Sequence, residues 1–301
     1  MLTQDLLKQV RQIQIKTGKT VTEVFAGQFS SAFRGRGMEF SEVREYQPGD
    51  EIRTIDWNVT ARTGHPFIKR FTEERELTVM LVVDLSRSGE FGSQGRIKNE
   101  AAAELCALLA FAAARSNDKT GLLIFTDDVE LFVPARKGAR HVLRIVREVL
   151  AFRPRAGGTD APGALRHLRS ALRRRAVVFL VSDFLFEGVG AERGVQSDFE
   201  TALRSLATRH DVIAARIVDP REAELPRSGL IEIYDAETGA HRVLDTSSRR
   251  VREIFRFNAA ARARAIREQM RRLRIDYIDI DSDASYVPAL VRLFHDRERR
   301  R

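Results

Sequence analysis

Oxygen-bearing side chains cluster at three points where a predicted strand or a glycine-rich loop ends. The first is Asp84-Leu85-Ser86-Arg87-Ser88, directly after the apolar run 77–83. The second is the loop Gly157-Gly158-Thr159-Asp160, and the third is Ser182-Asp183, after the apolar run 176–181. The candidate metal ligands are two carboxylates and three hydroxyls, without any His or Cys: Asp84, Ser86, Ser88, Thr159 and Asp183.

Hard oxygen ligands of this kind suit Mg²⁺ or Mn²⁺ and suit zinc or copper poorly. Mg²⁺ takes six oxygens at ~2.1 Å and keeps several of its waters. Neutral hydroxyls leave the ion with much of its positive charge, so a carboxylate from another molecule would be accepted at an open position. We therefore expect a Mg²⁺ or Mn²⁺ site that binds an external carboxylate.

Each candidate ligand also has a purely local interpretation. Ser and Asp are favoured as helix N-caps and Thr is favoured in turns, because their side chains hydrogen-bond to nearby backbone groups. Any one of these residues, taken alone, is more typical of a cap than of a ligand. The occurrence of five such residues, in the expected order and at three strand-end loops, favours the interpretation as a metal site.

Alternating strands and helices must position these side chains. Such alternation predicts an α/β fold, a doubly wound and mostly parallel sheet with helices on both faces. Functional groups collect at the carboxyl ends of the strands in such a sheet. Before residue 77, a helix over 5–16 is followed by loops and short strands over 25–76. The later elements are predicted as strands 77–83, 121–125, 129–133, 176–181, 212–218, 230–234, 241–244 and 275–280, and as helices 97–115, 140–152, 162–173, 198–209, 251–274 and 286–294.

The composition excludes several classes of protein. The chain has 301 residues, with 51 Lys and Arg against 42 Asp and Glu, a formal net charge of +9. Apolar runs throughout exclude intrinsic disorder, and none approaches the ~20 residues that a bilayer requires. The single cysteine, Cys106, excludes an intramolecular disulfide framework and a cysteine-rich zinc site. The first residues lack a signal-peptide pattern, so we expect a cytoplasmic protein.

Arginine supplies most of the positive charge and suggests a second class of function. The predicted helix 251–274 carries only two acidic residues, Glu253 and Glu268. Its basic side chains could lie along the phosphates of a nucleic acid. Alternatively they form the solvated face of a helix that covers a sheet, which is the interpretation we favour. The arginines are Arg252, Arg256, Arg262, Arg264, Arg267, Arg271, Arg272 and Arg274.

The combination of Asp84-x-Ser86-x-Ser88, Gly158-Thr159 and Ser182-Asp183 resembles the metal-ion-dependent adhesion site of von Willebrand factor A domains. All five expected positions are filled in the expected order. The resemblance implies that the two serines and the threonine ligate the metal directly or nearly so. It also implies that the two aspartates act largely through bound waters.

A longer block, over 33–40, 43–50, 55–58, 61–62 and 71–76, resembles the signature of a bacterial family, domain of unknown function number fifty-eight. Members of this family resemble von Willebrand A domains and are typically paired with MoxR-type AAA+ ATPases. The resemblance implies a metal-dependent adaptor or co-chaperone for such an ATPase, acting in remodelling or maturation of a client protein. Many members carry two N-terminal transmembrane helices, which are not found here.

The block is expected to lie in a signature region, residues 1–76, packed on a von Willebrand factor A-like domain of residues 77–301. Residues 33–76 mix charged groups with aromatic ones. They could brace the edge of the sheet, or they could dock a partner, because Trp, Tyr and Arg dominate interface hot spots. We favour bracing, with Trp57 in the core.

The residues argue against an enzyme. An aspartyl-phosphate phosphatase would need a second carboxylate two residues after Asp84, where Ser86 stands. The run 85–89 is not the Gly-x-Ser-x-Gly elbow of a serine hydrolase, and the six histidines lack paired spacing. No Gly-x-x-x-x-Gly-Lys phosphate loop occurs, so any ATPase must be a separate chain. We expect a binding module.

Overall fold

The computed structural model describes residues 12–13, 26–33, 39–72, 76–93, 96–154, 158–190, 197–234 and 241–300. Three predictions fall wholly or mostly outside these ranges: the helix over 5–16, the segment 33–40 of the signature block, and Gly157 of the glycine-rich loop. The chain divides into two compact units, one of residues 33–76 and the other of residues 1–32 and 77–301.

Helix α1, Ala26–Phe33, belongs to the larger unit except for its last residue. Loops and short strands were the expectation for 25–76, and the glycine and two serines of α1 weaken its helical pattern. Phe29 of α1 is fully buried, and its ring lies edge-on to that of Phe294, with 5.8 Å between centroids. This contact lies within the larger unit, to which residues 26–32 of α1 belong.

The smaller unit is a hairpin with a short helix. Strands β1, Glu39–Glu45, and β2, Phe67–Thr72, pair antiparallel, and helix α2, Trp57–Thr63, lies between them in the chain. Asp56 caps α2 by accepting the N–H groups of Asn58 and Val59. The expectation of a core Trp57 is wrong, because its side chain, the first in the helix after the cap, is 68% exposed.

The larger unit alternates strands and helices as predicted, with small shifts at the ends of the elements. The four-residue helix after β7 was not predicted from the sequence. In chain order the elements are β3 (Thr78–Asp84), α3 (Lys98–Arg115), β4 (Lys119–Phe125), β5 (Val129–Arg136), α4 (Ala139–Ala151), α5 (Ala161–Ala171), β6 (Val177–Ser182), α6 (Asp198–Ala207), β7 (Asp211–Val218), α7 (Pro220–Ala223), β8 (Leu230–Tyr234), β9 (His241–Asp245), α8 (Arg249–Arg272), β10 (Asp276–Asp281) and α9 (Val287–Arg299).

Six strands form the central sheet in the order β10-β7-β6-β3-β4-β5. All neighbours pair parallel except β5, which runs antiparallel to β4 at one edge. The inner strands are buried along almost their whole length, which is why they read as continuous apolar runs in the sequence. The α/β prediction with a mostly parallel sheet is therefore confirmed. Strands β8 and β9 form a separate antiparallel hairpin.

The strand order reverses between β3 and β6. From β3 the chain builds outward through β4 to β5, then returns to add β6, β7 and β10 on the other side. Loops leaving the two central strands therefore diverge and open a crevice at their carboxyl ends, the usual ligand position in doubly wound sheets. Within the described ranges, no helix combines the length and apolar character needed to cross a membrane.

Replacing Phe29 with Ala tests the assignment of α1 to the larger unit. Loss of a fully buried aromatic ring is expected to lower the free energy of unfolding by about 3–5 kcal/mol. Phe257→Ala is the matched control, because Phe257 is 73% exposed and its truncation should leave stability almost unchanged. Urea unfolding measures both, and similar values for the two variants would contradict the packing described.

Candidate metal centre

Asp84 and Ser182 are the last residues of the two central strands of the sheet, and they lie side by side at the point where the strand order reverses. Asp84 is the last residue of β3, Ser182 is the last of β6, and Asp183 follows directly. Strands β3 and β6 are parallel neighbours, so their carboxyl ends meet at one edge of the sheet. The first and third candidate segments therefore lie side by side in the fold.

The Asp84 carboxylate is held from both strands. Its Oδ1 accepts the backbone N–H of Ser86 at 3.0 Å, and its Oδ2 accepts the hydroxyl of Ser182 at 2.7 Å. The Ser182 hydroxyl in turn accepts the backbone N–H of Phe184 at 2.8 Å. The carboxylate therefore has one orientation, fixed by groups that are themselves buried.

Ser86 and Ser88 present their hydroxyls to each other, with 3.1 Å between the two Oγ atoms. Ser86 stands just before the short 3₁₀ helix Arg87–Glu90 but makes no side-chain capping bond to it. No side-chain hydrogen bond therefore supports the local interpretation of Ser86 as a helix cap. Gly89 lets this turn approach helix α3, since a Cβ at Gly89 would lie 2.0 Å from Oδ1 of Asn99.

Asp183, the second predicted carboxylate, is bound to a lysine that sequence reasoning missed. The Lys98 ammonium donates to Asp183 Oδ2 at 2.6 Å and to Glu222 Oε1 at 2.6 Å. The side chains of Lys98 and Asp183 are 2% and 5% exposed, so this ion pair is shielded from water. Asp183 Oδ1 also accepts the backbone N–H of Leu185 at 3.1 Å.

Glu222 is placed by a capping box on the four-residue helix α7. The carboxylate of the cap residue, Asp219, accepts the N–H of Arg221 and both the N–H and the hydroxyl of Ser93. A sequence signal for Glu222 did exist, because Asp219-x-x-Glu222 follows a strand in the pattern of a capping box. The sequence signal for Lys98 was weaker, because a lysine at the first position of an alanine-rich helix is typical of a solvent-exposed helix terminus.

The buried charges of the crevice shift one another's titration. Burial, and then repulsion by Asp183, raises the pKa of Asp84 to about 7. Burial lowers the pKa of Lys98, but attraction by Asp183 and Glu222 outweighs burial and raises that pKa above its ordinary value. Burial raises the pKa of Glu222 despite the neighbouring ammonium. A cation placed against Asp84 would relieve the cost of ionising it at neutral pH.

Thr159 lies on the loop before helix α5, and it is not among the described residues that line the crevice. Its neighbour Asp160 caps α5 by accepting the N–H of Gly163 and donates its own N–H to the carbonyl of Thr126, just past β4. The predicted threonine ligand is therefore anchored beside the next strand of the sheet. Four of the five predicted residues, all but Thr159, line one crevice.

The donor set fits a hard divalent cation at Asp84, Ser86 and Ser88. The crevice encloses about 10 Å³ of free space, roughly one water-sized sphere, which suits a single ion rather than a larger ligand. Among the described residues, no group of three or more His, Cys, Asp or Glu side chains forms a metal cluster. Two carboxylates and serine hydroxyls make up the crevice instead, and one of those carboxylates is already bound by Lys98.

The family model for the protein of unknown function DUF58 matches residues 42–266. The chain belongs to the DUF58 family. The uncharacterized protein Rv1480 of Mycobacterium tuberculosis (strain H37Rv) is a relative, 31% identical over 296 residues that cover 98% of this chain and 90% of the relative.

Two solved structures match the chain at low sequence identity. The conserved hypothetical protein BatB from Bacteroides thetaiotaomicron matches with a TM-score of 0.48 and 16% identity, covering 74% of this chain and 99% of that one. The VWA domain of SpRpn10 matches with a TM-score of 0.35 and 13% identity, covering 74% and 95%. Both scores are below 0.5, and the strand order above establishes the fold of this DUF58 protein by itself.

The arginine-rich helix α8 uses several of its basic side chains within the chain. Three of the four arginines in the resulting ion pairs keep more than 60% of their side chains exposed, so nucleic-acid binding stays a sequence-based alternative. The pairs join Arg249 to Glu253, Arg271 to Glu268, Arg267 to Asp279 and Arg272 to Glu200.

Asp84→Asn removes the titration of the buried carboxyl and so tests its raised pKa. Without metal, native Asp84 keeps its proton up to about pH 7, whereas the unfolded chain releases it near its ordinary pKa. Wild-type stability should therefore fall relative to the variant as pH rises, by up to about 1.4 kcal/mol per unit between about pH 5 and pH 7. Urea unfolding in EDTA measures the difference, and parallel pH profiles would contradict it.

Proposed function

We propose that this DUF58 protein is a metal-dependent protein-binding module. Asp84, Ser86 and Ser88 hold Mg²⁺ or Mn²⁺, and a carboxylate of another protein completes the coordination. The observation that carries the proposal is the convergence of these three side chains with Asp183 in one crevice at the reversal of strand order. Thr159, beside the neighbouring strand, remains a ligand expected from the resemblance to the adhesion site.

The residues of the crevice suit this role because they are fixed before any partner arrives. Ser182 and the backbone of Ser86 orient the Asp84 carboxylate, so little side-chain entropy is lost on binding. The two serine hydroxyls are neutral and leave the charge of a cation largely uncompensated. When bound, the ion supplies a Lewis-acidic position that an acidic side chain of a partner can occupy.

Binding rather than catalysis is supported by the chemistry beside the site. Among the described residues that line the crevice there is no His or Cys, and the one amine, on Lys98, is bound by two carboxylates. Ser86 and Ser88 face each other rather than a general base. Ser182 donates to the Asp84 carboxylate, but it is 2% exposed and also accepts the N–H of Phe184, so we assign it the role of orienting Asp84 rather than that of a nucleophile.

Family membership supports the choice of partner. We propose a MoxR-type AAA+ ATPase, with which members of this family are typically paired, and a client protein that supplies the carboxylate. The chain would act as an adaptor or co-chaperone that couples the client to remodelling or maturation driven by ATP. The net charge of +9 also favours an acidic partner surface.

A pull-down of a MoxR-type AAA+ ATPase from the same organism tests the proposal. Wild type should retain the ATPase in Mg²⁺ and lose most of it in EDTA, and Asp84→Ala should retain little in either buffer. Asp281→Ala is the matched control, because Asp281 also ends a strand of the same sheet but is exposed, and it should behave as wild type. Equal recovery by all three proteins in both buffers would refute metal-dependent binding.

A further inference from the structure

We propose that Lys98 is a built-in counter-cation of the crevice that sets how tightly a divalent cation binds there. In the metal-free protein Lys98 holds Asp183, and when a divalent cation takes its place beside Asp183 the ammonium is retained by Glu222. The inference rests on the proposed function, since it concerns the regulation of the same site.

The burial of Lys98 carries the first step. Its side chain is 2% exposed, and its ammonium lies 2.6 Å from Asp183, a residue that the resemblance assigns to the metal. A divalent cation and the ammonium would repel each other across this buried carboxylate, because water does little to screen them there. A divalent cation acting on Asp183 must therefore weaken or displace the Lys98 contact.

Glu222 supplies the second step, because it gives the displaced ammonium somewhere to stay. Glu222 already accepts from Lys98 at 2.6 Å, and its own side chain is 20% exposed. The capping box on α7 holds Glu222 in place, and Asp219 of that box is fixed by Ser93. The ammonium therefore keeps a charged partner when Asp183 turns to the metal.

The position of Lys98 connects the site to the fold. Lys98 begins helix α3, most of which is buried in the larger unit, so its backbone cannot move far. Only the flexible end of the side chain can shift between its two acceptors. The competition is therefore local and should change metal affinity without changing the fold.

Opposite effects of two substitutions test the inference by calorimetric titration with Mn²⁺. Lys98→Met removes the competing charge and should tighten binding by at least about tenfold. Glu222→Gln leaves Lys98 with Asp183 as its one charged acceptor and should weaken binding by a similar factor. Melting temperatures are also measured for the same variants with and without Mn²⁺. A Lys98→Met protein that is less stable still reports metal binding, through the size of its metal-induced shift in melting temperature.

Matched controls separate this contact from a general change in charge. Arg115→Met removes a positive charge at the far end of α3, roughly 25 Å away along the helix. Glu224→Gln removes a negative charge from an exposed side chain two residues beyond Glu222. Both should bind Mn²⁺ as wild type does.

Each outcome decides between the two proposals. If wild type binds Mn²⁺ and the Lys98 and Glu222 variants bind with the same affinity, the inference is overturned while the proposed metal site stands. If Lys98→Met alone binds, Lys98 controls the site as inferred. If neither the wild type nor any variant binds Mn²⁺, both the inference and the metal-dependent function fail.

Discussion

Two aspartates buried side by side at the ends of neighbouring strands are the constraint on which the rest of this site depends. Asp84 and Asp183 lie at the carboxyl edges of β3 and β6, with 7% of each residue exposed. Repulsion between buried carboxylates is costly, and it contributes to the raised pKa of Asp84. A cation must compensate them, and Lys98 does so at Asp183. The proposed divalent ion would do so at Asp84 and, where it displaces Lys98, at Asp183 as well.

The sheet makes this juxtaposition unavoidable. Because the strand order reverses between β3 and β6, whatever follows the two central strands is placed in one crevice. Cross-strand hydrogen bonding from Ser182 to Asp84 then ties the two loops together. Burial strengthens the electrostatic interactions at this edge of the sheet. The geometry that makes it costly to ionise the two carboxylates therefore also strengthens their attraction for a bound cation. A partner carboxylate would complete that compensation from outside the chain.

Strand-end residues could be predicted from the sequence because buried strands leave a strong pattern. Apolar runs located β3 and β6, and the parallel topology followed from the alternation with helices. Thr159 was harder to place, since a loop position depends on where the helix after it begins, and Asp160 rather than Thr159 caps that helix.

Lys98 and Trp57 show what sequence patterns cannot reveal. Lys98 has the sequence environment of a helix terminus, and its burial depends on two acceptors 85 and 124 residues away in the chain. Trp57 is of a residue type common in protein cores, but it directly follows the helix cap Asp56 and is 68% exposed. Both depend on long-range packing or on local capping geometry, which composition and periodicity do not encode.

Anomalous diffraction from crystals grown with Mn²⁺ tests the central claim most directly, because it locates the ion without reference to activity. The account predicts an anomalous peak in the crevice, within about 2–3 Å of the Ser86 and Ser88 hydroxyls or of waters bound to Asp84. It also predicts that the Lys98 ammonium is then nearer to Glu222 than to Asp183. A crevice without a peak at a Mn²⁺ concentration that saturates binding in solution, or a peak elsewhere on the protein, would contradict it.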